Sequence, residues 1–465
     1  MPAWSINQQI RTPLLLMAGI EASIVVSSLY VAALIAYGSL DLCEKVLGPL
    51  APKAAIVAIV VLISLVAMGL YQFQQRIYYR EAVIRLLAGL VAASVSLAVI
   101  FYAFPAIVVS REMAGISIGY AMILLLLVRY IFLRTLDENI FRHRTLIYGA
   151  GKRAASILEL RRRADRRGFK IVGRIAAPGD AVVEDTVQMK SNAESIMQIA
   201  VRENVDEIVV AMDDRRGNLP VRDLLDARLH GIDIIDLLEF LERETGKIRV
   251  DLIQPGWLIF SPGFRTSWLR RSVKRAMDLF VGAIGVTLGA PVMLLTALAI
   301  KIEDGVSAPV FYRQIRVGQG GKPFEILKFR SMSVNAEAKG EAVWAEVSDN
   351  RVTRVGRVLR KFRADEVPQV FNVLRGQMSI VGPRPERPEF VADLQKSIPY
   401  YSERHIVKPG ITGWAQLRYT YGATEEDAME KLQHELYYIK NHSLMLDIMI
   451  ILQTVEVVLW SKGAR

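Results

Sequence analysis

The stretch LFVGAIGVTLGAPVMLLTALAI, from Leu279 to Ile300, decides how the second half of the chain meets a membrane. Its length matches the roughly 20 apolar residues that a helix needs to cross a bilayer. Lys and Arg beside an apolar segment favour the cytoplasmic side, and here they flank both ends. The flanking residues are Arg270, Arg271, Lys274 and Arg275 before the stretch and Lys301 after it. Both ends are therefore predicted to lie in the cytoplasm.

Pro291 interrupts this stretch near its middle. Proline removes one backbone hydrogen bond and clashes with the preceding turn, so it can bend a helix back on itself. We therefore predict a re-entrant hairpin, helix then break then helix, over residues 273–301. The alternative is a fifth spanning helix with a proline kink, because neighbouring groups allow such kinks inside membranes.

Further apolar runs of spanning length lie before residue 135. They cover about Leu14 to Tyr37, Ala54 to Tyr71, Leu86 to Val109 and Gly115 to Leu133. The first run is too long for a signal peptide and has no small-residue cleavage site behind a basic start, so it is expected to remain. Basic residues gather at the N-terminus, in the second loop and after the fourth run: Arg11, Arg76, Arg80, Arg85, Arg134, Arg142 and Arg144. The first and third loops carry only Lys45, Lys53 and Arg111. This bias places the N-terminus and everything after residue 134 in the cytoplasm.

Composition supports a membrane protein with a cationic cytoplasmic side, because 52% of the 465 residues are hydrophobic and the net charge is +11. The length leaves room for two or three domains. Cys43 is the only cysteine, and the five histidines lack metal-ligand spacing, so neither a disulfide framework nor a zinc site is predicted. No nucleic-acid partner is predicted either.

Short strands and helices alternate between residues 145 and 245, which predicts a parallel α/β sheet. The order is the strand in RTLIYGAG, helix 152–167, strand FKIVGRI, helix 191–203, strand DEIVVAM, helix 220–230 and strand IDIIDL. Gly149, Gly151 and Ala154 form a GxGxxA at the end of the first strand, where backbone amides could hold a phosphate. No acid closes the second strand, as ribose binding would require. A degenerate Rossmann-like domain is the favoured interpretation, with Gly149 and Gly151 as candidates for a nucleotide site.

The C-terminal part carries several motifs in a fixed order. They are PVFYRQIRVGQGGKPFEILKFRSM from 309, LRKFRADEVPQ from 359, NVLRGQMSIVGPRPERPEF from 372 and VKPGITGWAQL from 407, preceded by the KR-x-x-D of Lys274, Arg275 and Asp278. Together they resemble the bacterial sugar transferases, the monotopic polyprenyl-phosphate glycosyl-1-phosphate transferases, over about residues 270–465. The upstream parts resemble the long members of that family, which have N-terminal transmembrane helices and a Rossmann-like, CoA-binding-like domain and are associated with exosortase and exopolysaccharide loci.

The resulting fold class is a membrane protein of α plus α/β type. Four transmembrane helices are expected in residues 1–135, a Rossmann-like cytoplasmic domain in 136–250, a linker in 251–270 and a mainly helical catalytic domain in 271–465. The last apolar segment, from Leu444, carries Asp447 and Glu456 and is expected to be an interfacial or core helix.

The resemblance implies transfer of a sugar-1-phosphate from a UDP-sugar to undecaprenyl phosphate, with release of UMP, at the cytoplasmic face of the bacterial inner membrane. Such a reaction gathers many negative charges, so cations and a metal, expected to be Mg²⁺, are needed. An aspartate can attack phosphorus and divide the transfer into two steps. The first acid of the family's dyad falls on Asp365, the expected nucleophile, and the second on Glu366, expected to hold Mg²⁺ with it or to assist proton transfer.

The same resemblance assigns substrate-binding cations to Lys328, Arg360 and Arg384, with Arg330 and Arg387 as further candidates. Pro383 and Pro385 restrict the backbone around Arg384, which could then pair with phosphate through two donors. Backbone around Gly410 to Trp414 is another candidate for phosphate contact. Lys274, Arg275, Asp278 and Pro291 are expected to be structural. The family often has Ser before the re-entrant proline, whereas this chain has Ala290.

Two other functions stay open from the sequence. A membrane-bound nucleotide-sugar dehydratase or epimerase needs a Tyr-x-x-x-Lys pair on a helix, and only Tyr148 and Lys152 have that spacing. A non-catalytic assembly scaffold is the other alternative, although Asp365, Glu366 and their cations are all retained. The sequence leaves open the sugar, nucleotide binding by the middle domain, and whether the chain forms a homodimer.

Overall fold

The computed structural model describes residues 12–71, 79–135, 142–160, 163–166, 168–183, 194–215, 218–253, 261, 263–264, 267–333, 351–361, 363–419, 422 and 424–460. It divides into two units, Met1–Thr245 and Gly246–Arg465. Arg11 and Arg76, which contributed to the orientation argument, lie outside the described residues, as do residues 254–260 of the expected linker.

The first unit begins with apolar helices. They are α1 (Thr12–Tyr37), the short α2 (Leu40–Leu47), α3 (Leu50–Ala67), α4 (Tyr79–Ala103) and α5 (Arg111–Thr135). Within the described residues, five helices are long and apolar enough to cross a membrane. Four of them are α1, α3, α4 and α5. The predicted runs therefore correspond to helices, each beginning a few residues earlier than its apolar run.

A buried charge pair lies inside this group of helices. Glu21 on α1 and Arg129 on α5 approach to 2.6 Å between Oε1 and Nε. The Tyr71 hydroxyl donates to Glu21, and Arg129 also donates to the carbonyl of Leu70 at 2.9 Å. Because an unpaired charge among apolar helices is very costly, these contacts explain how Glu21 is accommodated in an otherwise apolar helix.

The middle of the chain forms a four-stranded parallel sheet, as predicted, in the order β2-β1-β3-β4. The strands are β1 (His143–Tyr148), β2 (Phe169–Ile175), β3 (Glu207–Val210) and β4 (Asp233–Asp236), and the helices are α6 (Lys152–Leu158), α7 (Ile196–Arg202), α8 (Val221–Leu229) and α9 (Leu237–Thr245). The helix expected over 152–167 stops at Leu158 and is followed by a 3₁₀ turn at Arg163–Arg166. The last turn tightens there, because the Leu160 amide donates to the Ile157 carbonyl, three residues back, at 3.4 Å. Residues 191–193 of the next expected helix lie outside the described part.

The second unit contains α10 (Trp268–Asp304), β5 (Phe311–Val317), β6 (Pro323–Phe329), α11 (Arg354–Lys361), α12 (Gln369–Leu374), β7 (Ser379–Val381), α13 (Pro388–Ser397), β8 (Gly410–Thr412), α14 (Trp414–Arg418), α15 (Glu425–Asn441) and α16 (Leu444–Trp460). β5 and β6 form an antiparallel hairpin, and β7 pairs with β8 in parallel. A core of α15 and α16 residues, including Leu436 and Ile450, packs with Val381 of β7 and Val391 of α13. On α16, Asp447 and Glu456 are buried whereas Leu444, Met445, Ile448 and Val455 are exposed, so the helix has one packed and one open face.

The apolar stretch of residues 279–300 lies within the 37-residue helix α10, which also contains Pro291. Helical geometry continues through Pro291, so the expected break does not end the helix. A straight helix of this length would extend about 55 Å, well beyond the roughly 30 Å apolar thickness of a bilayer. The re-entrant path of this segment stays a prediction.

Candidate active site

The two adjacent acids lie on a short 3₁₀ turn, Ala364–Glu366, between α11 and α12. Arg363 precedes the turn in the left-handed conformation, with φ 52° and ψ 23°. A non-glycine residue rarely adopts that conformation, and it ends α11 abruptly. Successive residues on a 3₁₀ turn point about 120° apart, so the side chains of Asp365 and Glu366 have different neighbours.

Glu366 is held by two cations from distant parts of the sequence. Its Oε1 accepts a hydrogen bond from Arg384 Nη2 at 2.8 Å and from Lys328 Nζ at 3.1 Å. The exposed fractions of the side chains are 14% for Glu366 and 18% for Lys328, so solvent screens the contact only in part. Burial alone would raise the pKa of Glu366, but the charges and hydrogen bonds of Arg384 and Lys328 hold it well below its ordinary value. Glu366 is therefore a fixed anion that aligns two cations.

Asp365 has the opposite character. Burial and the neighbouring charge of Glu366 raise its pKa above the ordinary value, although Lys328 and Arg360 act against the shift. A pair of neighbouring carboxyls with opposed pKa shifts is a recurrent arrangement where two acids have different chemical tasks. A carboxylate with a raised pKa is more basic once ionised, and it has given up part of its hydration, which suits a nucleophile.

Of the sequence-predicted cations, three act on the acids and one, Arg330, is directed elsewhere. Lys328 and Arg384 bind Glu366, whereas the buried Arg330 donates to Asp304 at the end of α10, at 2.5 Å. Arg360 acts on Asp365 through its charge, and its Nε donates to the Ser331 hydroxyl at 3.1 Å. Arg330 is thus placed as a link between β6 and α10 and does not contact the acids.

Pro383, Arg384 and Pro385 form the loop after β7, and its carbonyl groups are bound. The Pro383 carbonyl accepts from the backbone of Gly410 at 2.8 Å, and the Pro385 carbonyl accepts from Arg316 Nη1 at 3.2 Å. Glycine is required at the contact with β8, because a Cβ on Gly410 would lie 2.1 Å from the Gly382 nitrogen. The Gly410 to Trp414 segment is therefore packed against this loop, and Trp414 is buried. Phosphate contact by this segment stays a prediction.

Lys274, Arg275 and Asp278 of α10 bind the two elements that follow the acids, α12 and β7. Arg275 donates to the last carbonyls of α12, those of Val373 at 2.6 Å and Leu374 at 2.7 Å. Asp278 accepts from the Ser379 hydroxyl and the Ile380 amide of β7, and Lys274 donates to the Val381 carbonyl at 3.1 Å. These contacts agree with a structural role for all three residues.

The structure adds residues that sequence reasoning did not single out. Asn372 is buried and ties α12 to β6 by accepting from the Leu327 amide at 3.0 Å and donating to the Glu325 carbonyl at 2.6 Å. It thereby fixes Lys328, on β6, against the turn that bears the acids. Arg316 on β5 contacts the Arg384 loop, and burial, assisted by the charges of Arg384 and Arg387, lowers its pKa. A buried polar residue in the short apolar stretch FNVL was the available signal for Asn372.

The ligand atoms near Asp365 and Glu366 indicate whether Mg²⁺ could bind there. Among the described residues no cluster of three or more His, Cys, Asp or Glu side chains is present that could hold a metal ion alone. Mg²⁺ is usually bound by one or two carboxylates together with substrate phosphates. Asp365 and Glu366 satisfy that requirement, with one Glu366 oxygen already bound by Lys328 and Arg384.

The glycine turn of the middle domain is closed by carboxylates of the chain itself. Asp213 accepts from the amides of Lys152 at 3.1 Å and Arg153 at 2.8 Å, where a bound phosphate would lie. Asp180 accepts from the amide of Ala150 at 2.7 Å. A Cβ on Gly151 would lie only 2.0 Å from the Asp213 carboxylate, so this glycine is needed for the internal contact. These contacts favour a degenerate domain over a nucleotide site.

Tyr148 and Lys152 do not form the pair that a dehydratase or epimerase needs. Tyr148 ends strand β1 and is buried, whereas Lys152 begins α6 and is exposed. The required geometry places both residues on one helix face, four residues apart. This alternative therefore has no support from the geometry.

Two family models match this chain. Residues 269–461 match the family model described as bacterial sugar transferase, and residues 66–220 match one described as CoA-binding domain. The UDP-N-acetylgalactosamine-undecaprenyl-phosphate N-acetylgalactosaminephosphotransferase of Aeromonas hydrophila is 44% identical over 54% of this chain and 58% of its own length. The undecaprenyl-phosphate glucose phosphotransferase of Komagataeibacter xylinus is 33% identical over 68% of this chain and 59% of its own length. The matched segments thus span less than two thirds of those two relatives.

A third relative is covered more fully. The UDP-glucose:undecaprenyl-phosphate glucose-1-phosphate transferase of Klebsiella pneumoniae is 34% identical over 70% of this chain and 69% of its own length. Its match extends well beyond the region of the sugar transferase model. The chain therefore belongs to the bacterial sugar transferase family.

Proposed function

We propose that this protein transfers a sugar-1-phosphate from a UDP-sugar to undecaprenyl phosphate and so begins the assembly of an exopolysaccharide. The observation that carries the proposal is the pair of acids with opposed environments: Glu366 bound by Lys328 and Arg384, and Asp365 beside them with a raised pKa. The relatives' names supply the substrate class, since each of the three acts with undecaprenyl phosphate.

In the first step a carboxylate oxygen of Asp365 attacks the phosphorus that carries the sugar. The bridging phosphorus–oxygen bond breaks, and UMP leaves with that oxygen and its electron pair. Lys328, Arg384 and Arg360 surround Asp365 and Glu366 and would stabilise charge that develops on the phosphate oxygens. The product is a phospho-sugar ester of Asp365.

In the second step an oxygen of undecaprenyl phosphate attacks the same phosphorus, and the bond to Asp365 breaks to regenerate its carboxylate. Mg²⁺, when bound, would be held by Asp365 and Glu366 with the substrate phosphates and would neutralise part of the diphosphate charge. Lys328 donates three hydrogens and Arg384 up to five, so both can retain Glu366 while they contact phosphate.

The test is release of UMP by purified protein in detergent with Mg²⁺ and undecaprenyl phosphate. UDP-glucose, UDP-galactose and UDP-N-acetylgalactosamine should be compared, because the names of the relatives differ in the sugar. We expect release with one of them, and with Asp365→Asn we expect loss of at least about a thousandfold, the size typical of removing a nucleophile. Unchanged turnover by Asp365→Asn would reject the covalent step.

We also propose that α10 is re-entrant and keeps both of its ends at the cytoplasmic face. Near its start, Lys274 donates to the Val381 carbonyl of β7 and pairs with Asp447 at 2.9 Å. At its other end, Glu303 accepts from the amides of Arg354 at 2.7 Å and Val355 at 2.9 Å. One polar unit thus binds both ends, which supports a path that enters and leaves the membrane on the same side.

The middle of α10 brings the acids close to the membrane segment. A Cβ on Gly289 would lie 3.4 Å from Val367, the residue after Glu366, so the helix and the turn are in near contact. Gly282 and Gly285 face α12 in the same way. A lipid phosphate at the membrane surface would therefore lie within reach of Asp365 under this proposal.

Cysteine labelling tests the path of α10. In a Cys43→Ser background, Ser272→Cys and Val306→Cys place single thiols at exposed positions on either side of the apolar segment. With a membrane-impermeant maleimide, both should react in inside-out vesicles and neither in right-side-out vesicles. Reaction of the two thiols from opposite sides would establish a spanning helix instead.

A further inference from the structure

The main chain of Arg384 is bound on both sides by one buried ion pair. Arg404 Nη2 donates to the Arg384 carbonyl at 2.8 Å and to Glu435 Oε1 at 2.8 Å. Glu435 in turn accepts a hydrogen bond from the Arg384 amide. The exposed fraction of each partner's side chain is 5%, so the pair lies out of solvent.

The pair joins elements that are far apart in sequence. Arg404 lies on the 3₁₀ turn Tyr401–Ile406, and Glu435 lies in the middle of α15. The Arg404 guanidinium is fixed further by Tyr401, whose hydroxyl accepts from Nη1 at 2.5 Å and whose ring centroid is 5.0 Å from the guanidinium carbon. Both charges are therefore held in place by the core of the second unit.

Stability alone gives no reason for charges at this position. A buried ion pair loses its hydration, and well-packed apolar residues of similar volume are often as stabilising or more so. What the pair provides is a carboxylate acceptor and a guanidinium donor at the two ends of one residue's backbone. Pro383 and Pro385 already restrict the backbone of Arg384, and the hydrogen bonds from the ion pair restrict it further.

We propose that Arg404 and Glu435 are positioning residues that aim the Arg384 guanidinium at Glu366 and the substrate phosphate. This inference rests on the proposed transfer reaction, in which Arg384 is a phosphate-binding cation. Neither residue contacts the acids in the structure, so they act through Arg384. A displacement of about 1 Å at such a cation can reduce a rate by roughly a hundredfold.

The experiment compares the Arg404→Met/Glu435→Leu double variant in two backgrounds, the wild type and Arg384→Ala. In the wild-type background we expect UMP release to fall on the order of 10- to 100-fold, mainly in kcat. In the Arg384→Ala background we expect no further loss, because the residue to be positioned is gone. An equal loss in both backgrounds, or no loss in the wild type, would overturn the proposal.

A matched control lies on the same helix. Glu430 pairs with Lys247 at 2.8 Å and lies five residues before Glu435, away from the Arg384 loop. Glu430→Gln removes an ion pair from α15 and should leave UMP release unchanged. A loss as large as that of the double variant would show a general effect of disturbing α15.

A second readout does not depend on turnover. The thermal-unfolding coupling between Glu366→Gln and Arg384→Met measures the contact that positioning maintains, and it should be lost in the double variant. Loss of this coupling without any UMP release by the wild type would reject the transfer reaction but retain the positioning role. Unchanged coupling together with active wild-type enzyme would reject the positioning role alone.

Discussion

Replacing Glu366 by Gln is the most informative change at the acids, because it removes one charge and keeps the shape of the side chain. In the structure one oxygen of Glu366 accepts from both Arg384 and Lys328. The amide of Gln can still accept through its oxygen, but it can no longer balance two positive charges. Arg384 and Lys328 would then repel each other and lose their common alignment.

The size of the effect follows from these two contacts. A hydrogen bond to a charged group contributes about 1.5–3 kcal/mol, and one between neutral groups about 1 kcal/mol. If the amide retains a neutral-type acceptor at both contacts, the net loss is about 1–4 kcal/mol, which corresponds to a roughly 5- to 900-fold slower first step. Single-turnover release of UMP at saturating UDP-sugar measures this step directly.

The pH profile of the same variant tests the physical cause. The charge of Glu366 raises the pKa of Asp365 and also raises that of Lys328. Removing it should lower both pKa values, so the acidic and the alkaline limbs of the rate profile should both move to lower pH. An acidic limb that stays in place or moves to higher pH would refute the assignment of Asp365 as the ionising nucleophile beside a fixed anion.

Further predictions concern other parts of the chain. Asp365→Asn should raise the apparent melting temperature by about 2 °C at neutral pH. Burial raises the pKa of Asp365 in the folded state, so the ionised carboxylate destabilises the fold at high pH. The gain in melting temperature should vanish below roughly pH 4, where the carboxyl is protonated in the unfolded state as well. Arg275→Met should cost about 2–3 kcal/mol of stability, because two α12 carbonyls lose a charged donor, and thermal unfolding with the exposed Arg271→Met as control will measure it. Asp213→Ala should destabilise the middle domain by about 1–2 kcal/mol through loss of the acceptor at the start of α6, and calorimetry should find no binding of NAD or CoA by the wild type. Arg129→Met should lower the free energy of unfolding by roughly 3–5 kcal/mol, because Glu21 is left as an unpaired charge. Adding Glu21→Gln should recover most of that loss. Equal melting temperatures for the single and double variants would contradict this.

Periodicity and composition were sufficient for the helices and for the parallel sheet. Apolar runs of spanning length predicted α1, α3, α4 and α5, because a membrane helix buries its backbone groups within itself and needs little from its neighbours. The alternation of strands and helices predicted the middle sheet for a similar local reason. The predicted end of α6 was wrong, because the helix stops at Leu158 with a tightened last turn that no residue type in this stretch signals.

The site was predictable only where a motif named a residue. Resemblance pointed to Lys328, Asp365, Glu366 and Arg384, and the structure brings all four together. The resemblance did not show that Lys328 and Arg384 both bind Glu366. That contact depends on how β6 and the loop after β7 pack against the turn. The direction of Arg330 toward α10 could not be read from sequence either, because its partner Asp304 lies outside the motif.

Adjacency in sequence therefore says little about whether two acids share a task. Asp365 and Glu366 differ because successive residues on a 3₁₀ turn point in different directions, about 120° apart. Glu366 then meets a lysine from β6 and an arginine from the loop after β7, and the backbone of that arginine is itself fixed by Arg404 and Glu435. The ion pair that fixes the backbone of Arg384 is more deeply buried than Arg384 itself, with 5% of each side chain exposed against 29%. Under the proposed function, a cation that meets the substrate is thus positioned by charges that do not reach it. Burial, together with the charge of Glu366, raises the pKa of Asp365 and outweighs the opposing charges of Lys328 and Arg360.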